Sequence, residues 1–178
     1  MTNKAPSADI KAPAAVCANS TGNRASVRGE DEDEDEGGGA TYVWTIINGS
    51  ITSGQGTRRI KFTAGASGSV TLNVTVVNAA GCSASGSKTI PINPVPDSTI
   101  TAPSSVCHDS TGNVASAPSG GADYRWRVTN GRLESGQGTS KITFTAGDRG
   151  AVTLKVRVTG SDGCKSTSSK SVPIDTGC

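Results

Sequence analysis

Seven consecutive acidic residues are the part of this sequence best suited to binding chemistry. The run consists of Glu30, Asp31, Glu32, Asp33, Glu34, Asp35 and Glu36, and glycines lie on both sides of it. Carboxylate oxygens are ligands that hard cations such as calcium prefer. The pattern requires no cofactor, but calcium or a lanthanide is the ion that we expect it to gather. A mineral surface or a basic partner is the alternative ligand, and a solvated loop that keeps the chain soluble is the plainest interpretation.

The spacing of these acids argues against a shaped calcium loop. Asp31, Asp33 and Asp35 have the spacing with which an EF-hand begins. The next position of that motif requires glycine and is Glu36, and the twelfth requires glutamate and is Tyr42. We therefore expect charge-driven cation binding with little geometric selectivity. Because like charges repel one another, the run is predicted to be disordered without a ligand.

A second charge feature is hidden by the net charge of +2. Seventeen basic residues stand against fifteen acidic ones, and seven of those acids lie in the run, so the rest of the chain carries a net charge of +9. Part of this excess alternates with apolar residues, at Arg125, Arg127, Lys155 and Arg157. Strand alternation predicts that these four residues form a basic patch on one outer sheet face. The patch is either a solvated surface or a site for a polyanion.

The candidate polyanions for this patch are a sulfated glycan, a nucleic acid and the acidic run of another copy. Specific nucleic-acid binding is disfavoured, because Tyr124 and Trp126 are expected in the core and leave no aromatic ring for base stacking. Opposite charges in the run and the patch also predict charge-driven assembly of neighbouring copies. High salt should abolish such assembly.

Four of the five cysteines form two pairs with similar separations, and the fifth has no counterpart. Cys17 and Cys82 are 65 residues apart, and Cys107 and Cys164 are 57 apart. This pattern indicates one disulfide for each pair in an oxidising compartment, with buried thiols as the alternative. Metal binding is disfavoured because no Cys-x-x-Cys spacing occurs. Cys178 has no counterpart, and we expect an exposed free thiol there, left by truncation or added for coupling or dimerisation.

The sequence consists largely of two repeats. Residues 9–26 match 99–116 at an offset of 90, and residues 42–92 match 124–174 at an offset of 82. The two offsets differ by eight residues, and so do the two cysteine separations. A Pro-rich stretch between the repeats predicts a short extended linker. We therefore divide the chain into a first module at 1–93 with the acidic loop at 29–39, a linker at 94–98, and a second module at 99–178.

Apolar and polar residues alternate within each repeat, which is the signal of a half-buried strand. Residues 70–76 alternate valine or leucine with threonine or asparagine. Asn48-Gly49 and Asn130-Gly131 predict type I′ hairpin turns. No helical period intervenes, so the fold class is all-β, as two tandem antiparallel sandwiches. Trp44 and Trp126 are predicted to be buried at equivalent places.

These residues carry a family resemblance. The order Tyr-x-Trp, Asn-Gly, Ser-Gly-Gln-Gly-Thr, a Val-Thr-Leu strand and Gly-Cys resembles the PKD-like, immunoglobulin-like modules of bacterial surface proteins. The resemblance covers nearly the whole chain, twice, and implies non-enzymatic structural or adhesive modules at a cell surface or outside the cell. In that fold Cys17 and Cys82 lie at opposite ends, so the first strand would have to be broken for them to meet.

Other classes of protein are disfavoured by composition. The sequence has one histidine and two tyrosines, and its serines lack a placed base, so an enzyme is the least favoured class. Its apolar runs are only a few residues long, so we expect no membrane insertion. No apolar stretch follows Met1, so no signal peptide is predicted, and an excised or engineered pair of modules is the interpretation that follows.

Overall fold

The computed structural model describes residues 4–28 and 39–178, which form β-strands and no helix. None of the described residues therefore belongs to a helix that could cross a membrane. The contacts within the chain divide it into two compact units, Met1–Pro94 and Val95–Cys178. Ser98 is buried within the second unit, where its hydroxyl lies 2.8 Å from that of Ser168.

The strands of unit 1 are β1 (Ile10–Lys11), β2 (Val16–Cys17), β3 (Asn23–Val27), β4 (Thr41–Ile47), β5 (Gly49–Ser53), β6 (Arg59–Ala64), β7 (Ser69–Val77) and β8 (Ser83–Asn93). They form two four-stranded sheets, whose orders are β1-β3-β6-β5 and β2-β8-β7-β4. Neighbouring strands are antiparallel except for β2 and β8, which are parallel. Pro13 lies between β1 and β2 and has no N–H to donate, so the first strand breaks there and its halves join different sheets.

The strands of unit 2 are β9 (Val106–Cys107), β10 (Asn113–Ser116), β11 (Asp123–Thr129), β12 (Gly131–Ser135), β13 (Lys141–Ala146), β14 (Ala151–Thr159) and β15 (Lys165–Asp175). They repeat the arrangement of unit 1 with a three-stranded sheet, β10-β13-β12, and a four-stranded sheet, β11-β14-β15-β9. Thr101 bridges Ser116 at the place that β1 takes in unit 1. The short strand β9 is again parallel to its neighbour β15.

Each unit has its own hydrophobic core between its two sheets. Trp44 is 1% exposed and Trp126 is 4% exposed, so the predicted burial of both indoles is confirmed. Trp44 lies opposite Val74 of β7, and Trp126 lies opposite Val156 of β14. The alternation that predicted these strands therefore also gives the inward-facing side chains correctly, and the all-β fold class is confirmed.

The predicted type I′ hairpins at Asn48-Gly49 and Asn130-Gly131 are wrong. Asn48 has a φ of 57°, but the strands that it connects, β4 and β5, belong to different sheets. Its side-chain Nδ2 donates to the carbonyls of Ser67 and Ser69, at 2.7 and 3.0 Å. Asn130 repeats this arrangement in unit 2. The Asn-Gly pair is therefore a corner that carries the chain from one sheet to the other.

Candidate anion-binding faces

The four residues of the predicted basic patch lie together on β11 and β14. Arg125 lies directly opposite Arg157, and Arg127 lies directly opposite Lys155. All four are exposed, because they alternate with buried residues along both strands. Strand geometry places the paired residues roughly 5 Å apart and the two pairs about 7 Å apart. We call this set of four residues the unit 2 face.

The electrostatics of the unit 2 face are unfavourable without a counterion. Like charges directly opposite each other destabilise an antiparallel pair. Arg125 lies 3.3 Å from the carboxylate of Asp123. Among the described residues, Arg127, Lys155 and Arg157 form no salt bridge. The face thus concentrates positive charge that the unit itself does little to neutralise.

The corresponding face of unit 1 has the same backbone register but no charge. Its residues are Val43 and Thr45 on β4, paired with Thr75 and Asn73 on β7. Val43 is 58% exposed, which is the surface position that Arg125 occupies in unit 2. The fold is therefore compatible with neutral residues at these positions, and the four charges are a property of unit 2 alone.

A glutamine in the repeated Ser-Gly-Gln-Gly-Thr segment holds the edge of this sheet in both units. The side chain of Gln137 accepts from the backbone N–H of Trp126 at 2.8 Å and donates to its carbonyl at 2.9 Å. Gln55 makes the same two bonds to Trp44. The amide therefore pairs with the edge strand as a neighbouring backbone would, which blocks further strand addition there.

Two glycines bring this glutamine into place. Gly136 and Gly138 have φ values of 86° and 88°, in the left-handed region that favours glycine. A Cβ on Gly136 would lie 2.1 Å from the carbonyl oxygen of Lys141. Nothing local in the sequence indicates that the glutamine side chain pairs with the strand.

We expect Gln137→Ala to lower the free energy of unfolding by about 1–3 kcal/mol, because it leaves the N–H and C=O of Trp126 without their partners. Urea denaturation measures this loss. The matched control is Ser140→Ala, since the Ser140 side chain makes no hydrogen bond among the described residues. Equal stability of the two variants would show that the amide does not support the edge strand.

The cysteines do not pair as predicted. Cys107 forms a disulfide with Cys178, with a Cα–Cα distance of 5.5 Å. The predicted partner of Cys107 and the predicted free thiol at Cys178 are therefore both wrong. Cys82 is a half-buried thiol, so the predicted disulfide between Cys17 and Cys82 is also wrong.

The sheet topology gives the physical reason. Cys17 pairs with Asn93 at the last residue of β8, whereas Cys82 precedes the first residue of that strand. An eleven-residue strand spans about 35 Å, far beyond the reach of a disulfide. In unit 2, Cys107 and Cys164 are separated in the same way by β15. The first strand is broken, as the sequence required for the pair to meet. Its second half, β2, nevertheless lies beside the end of β8 that is remote from Cys82.

The acidic run Glu30–Glu36 lies outside the described residues, and cation binding there stays a prediction. Within residues 4–28 and 39–178, no three His, Cys, Asp or Glu side chains form a cluster that could hold a metal ion. Assembly through the acidic run also stays a prediction.

Each unit packs two sheets around one core, which defines an immunoglobulin-like β-sandwich. The sequence profile of the PKD-like domain matches residues 3–92 and again 93–174. The chain therefore belongs to the PKD-like domain family, and the resemblance seen in the sequence is confirmed. Such domains are typically non-catalytic structural modules.

Solved structures with a similar fold include the fibronectin(III)-like modules of Clostridium thermocellum CbhA. They are 17% identical, with 94% of this chain and 93% of that chain covered and a TM-score of 0.43. A 282-residue C-terminal fragment of intimin, solved with the intimin-binding domain of its translocated receptor, is 15% identical, with coverages of 95% and 64% and a TM-score of 0.43. No curated protein sequence matches this chain. Likenesses this weak carry no information on ligands.

Proposed function

We propose that this chain is a pair of non-catalytic extracellular modules whose second unit adheres to anionic polysaccharide. The observation that carries the proposal is the pair of like-charged contacts on the unit 2 face, Arg125 with Arg157 and Arg127 with Lys155. A bound polyanion would relieve their repulsion. Unit 1 shows that the fold can carry neutral residues there, so the charges point to a ligand.

The chemistry of the face suits a sulfated or carboxylated sugar chain. Guanidinium groups bind such oxyanions through two parallel hydrogen bonds. Hydroxyl groups on the neighbouring strand β15 extend the face. Ser169 lies opposite Lys155, and Thr167 lies opposite Arg157. Both tryptophan and tyrosine of β11 are buried, so the face offers no ring on which a nucleic-acid base could stack.

Two observations support an extracellular, non-catalytic role. The disulfide between Cys107 and Cys178 fits an oxidising compartment, where such bonds persist. The family to which both units belong consists typically of structural modules.

The unit 2 face is tested by giving it the residues of unit 1. The variant carries Arg125→Val, Arg127→Thr, Lys155→Asn and Arg157→Thr, each of which the same backbone already accepts. Four exposed ion pairs of about 0.5 kcal/mol each would together be worth roughly thirtyfold in affinity. We expect the affinity of the unit 2 face for a heparin-derived octasaccharide to fall by that factor, as measured by titration calorimetry.

A matched pair of double variants separates the face from net charge. Arg125→Val with Arg157→Thr removes two charges from the face, and we expect about fivefold weaker binding. Arg132→Ser with Arg149→Ser removes two charges elsewhere in unit 2, again with unit 1 residues, and should leave the affinity nearly unchanged. Equal losses in the two double variants would contradict a site on β11 and β14.

A further inference from the structure

A second group of basic residues lies in unit 1, on the outer face of the sheet β1-β3-β6-β5. Arg24 on β3 lies directly opposite Lys61 on β6, and Arg59 lies opposite Ser26. Lys11 on β1 lies opposite Ser26 from the other side. All four basic side chains are exposed. The sequence did not reveal this group, because its members come from three strands and are widely spaced along the chain.

These side chains line a groove of about 620 Å³. Ala12, Pro13 and Ser53 also line this groove. Ser53 on the edge strand β5 lies opposite Lys61, as Ser26 lies opposite Arg59. Each of these two cations therefore has a hydroxyl group beside it. Among the described residues, Lys11, Arg24 and Lys61 form no salt bridge. The groove therefore combines concentrated positive charge with a concave surface.

Unit 2 shows that the fold does not require this charge. The equivalent positions are Thr101, Val114, Lys141 and Thr143, so only one of the four cations is kept. The same sheet of unit 2 carries a carboxylate instead. Glu134 accepts a hydrogen bond from the Thr145 hydroxyl at 2.8 Å and another from the Gly112 N–H at 3.0 Å, and these bonds lower its pKa.

We propose that the groove is a second anion-binding site, for a sulfated polysaccharide chain, and that the protein is therefore bivalent for such polymers. Charge complementarity carries this assignment, with two guanidinium and two ammonium groups on one face. Ala12 and Pro13 add apolar surface to the lining, which suits the C–H surface of a sugar ring. The described lining contains no aromatic residue, which disfavours single-stranded nucleic acid. The site lies on another unit and another sheet than the unit 2 face, and goes beyond the function proposed above.

The acidic run must be controlled for in any test of the groove. Arg28 follows the end of β3 directly, and Glu30 comes two positions later, so seven negative charges are tethered close to the groove in sequence. These carboxylates lower the net positive charge of the chain, and net charge influences the binding of any polyanion. We expect the affinity of the groove to rise severalfold when residues 30–36 are replaced by serine and glycine.

The test is a calorimetric titration of that serine–glycine chain with a heparin-derived octasaccharide. We expect two octasaccharides per chain. The groove variant carries Lys11→Thr, Arg24→Val and Lys61→Thr, which are the residues of unit 2. It should bind one octasaccharide, and the fourfold variant of the unit 2 face should also bind one. A chain with both sets of changes should bind none, while circular dichroism shows that every variant is folded.

The two sites fail in distinguishable ways. Unchanged stoichiometry and affinity in the groove variant would overturn the groove proposal and leave the unit 2 face intact. Conversely, if the only bound octasaccharide is lost in the groove variant, the groove stands and the unit 2 face fails. Tighter groove-dependent binding of an oligothymidylate of equal charge would overturn the assignment to polysaccharide.

Discussion

Replacing Trp126 with alanine should lower the free energy of unfolding of unit 2 by about 3–5 kcal/mol. The indole is 4% exposed and packs within the core, so truncation leaves a large cavity. Its Nε1 also donates to the carbonyl of Thr139 at 2.9 Å, and that acceptor would lose its partner. A loss of this size is comparable with the whole stability of a marginal domain, about 5 kcal/mol.

Differential scanning calorimetry should show the effect as a lowered transition for unit 2. Trp44→Ala provides the replicate in unit 1, because its Nε1 donates to Thr57 in the same way. Val114→Ala is the control, since this valine is 41% exposed and a surface change is usually worth less than about 0.5 kcal/mol. A loss below about 1 kcal/mol for Trp126→Ala would contradict its place at the centre of the core.

Replacing Cys107 with serine should destabilise unit 2 by about 2–4 kcal/mol. The bond to Cys178 closes a loop of 71 residues, which includes every strand from β10 to β15. A cross-link over so long a loop restricts the unfolded chain strongly, and its removal returns that entropy. It also releases the end of the chain from β9.

A double-mutant cycle checks this disulfide. Cys107→Ser, Cys178→Ser and the double variant all remove the same bond, so their losses should be equal and not additive. Non-reducing peptide mapping gives an independent readout. A peptide that joins Cys107 to Cys164, or losses that add in the double variant, would contradict the pairing.

The strands and their buried faces could be predicted from the sequence because one physical signal controls both. A sheet with one face in the core needs apolar residues at every second position, and residues 70–76 meet that need. The tryptophans follow the same alternation. The basic patch on β11 and β14 could be predicted for the same reason, since its residues occupy the alternate positions of those strands.

Features that depend on long-range contacts could not be predicted in this way. Asn48-Gly49 has the local chemistry of a hairpin turn, but the choice of sheet for β5 is made by its pairing with β6. Matched cysteines indicate that the two units are alike, but do not show that the strand between Cys82 and Asn93 keeps the pair apart. The groove of unit 1 likewise exists only once three strands have been brought side by side.

The two units show how one backbone carries different surfaces. The pair Val43 and Thr75 in unit 1 becomes Arg125 and Arg157 in unit 2, with the same register. On the other sheet unit 1 is the charged one, because its pair Arg24 and Lys61 corresponds to the neutral pair Val114 and Thr143 of unit 2. Each unit thus supplies control residues for the other, and we expect such exchanges of exposed residues to leave the cores intact.

A nuclear magnetic resonance titration can show directly whether the unit 2 face binds an anionic polysaccharide. Backbone amide shifts would be followed while a heparin-derived octasaccharide is added to the isotopically labelled chain. We expect saturable shifts in unit 2 that centre on Arg125–Arg127 and Lys155–Arg157 and that disappear in the fourfold variant. Shifts in unit 2 that lie only outside β11, β14 and β15, or no shifts in unit 2 at all, would contradict it.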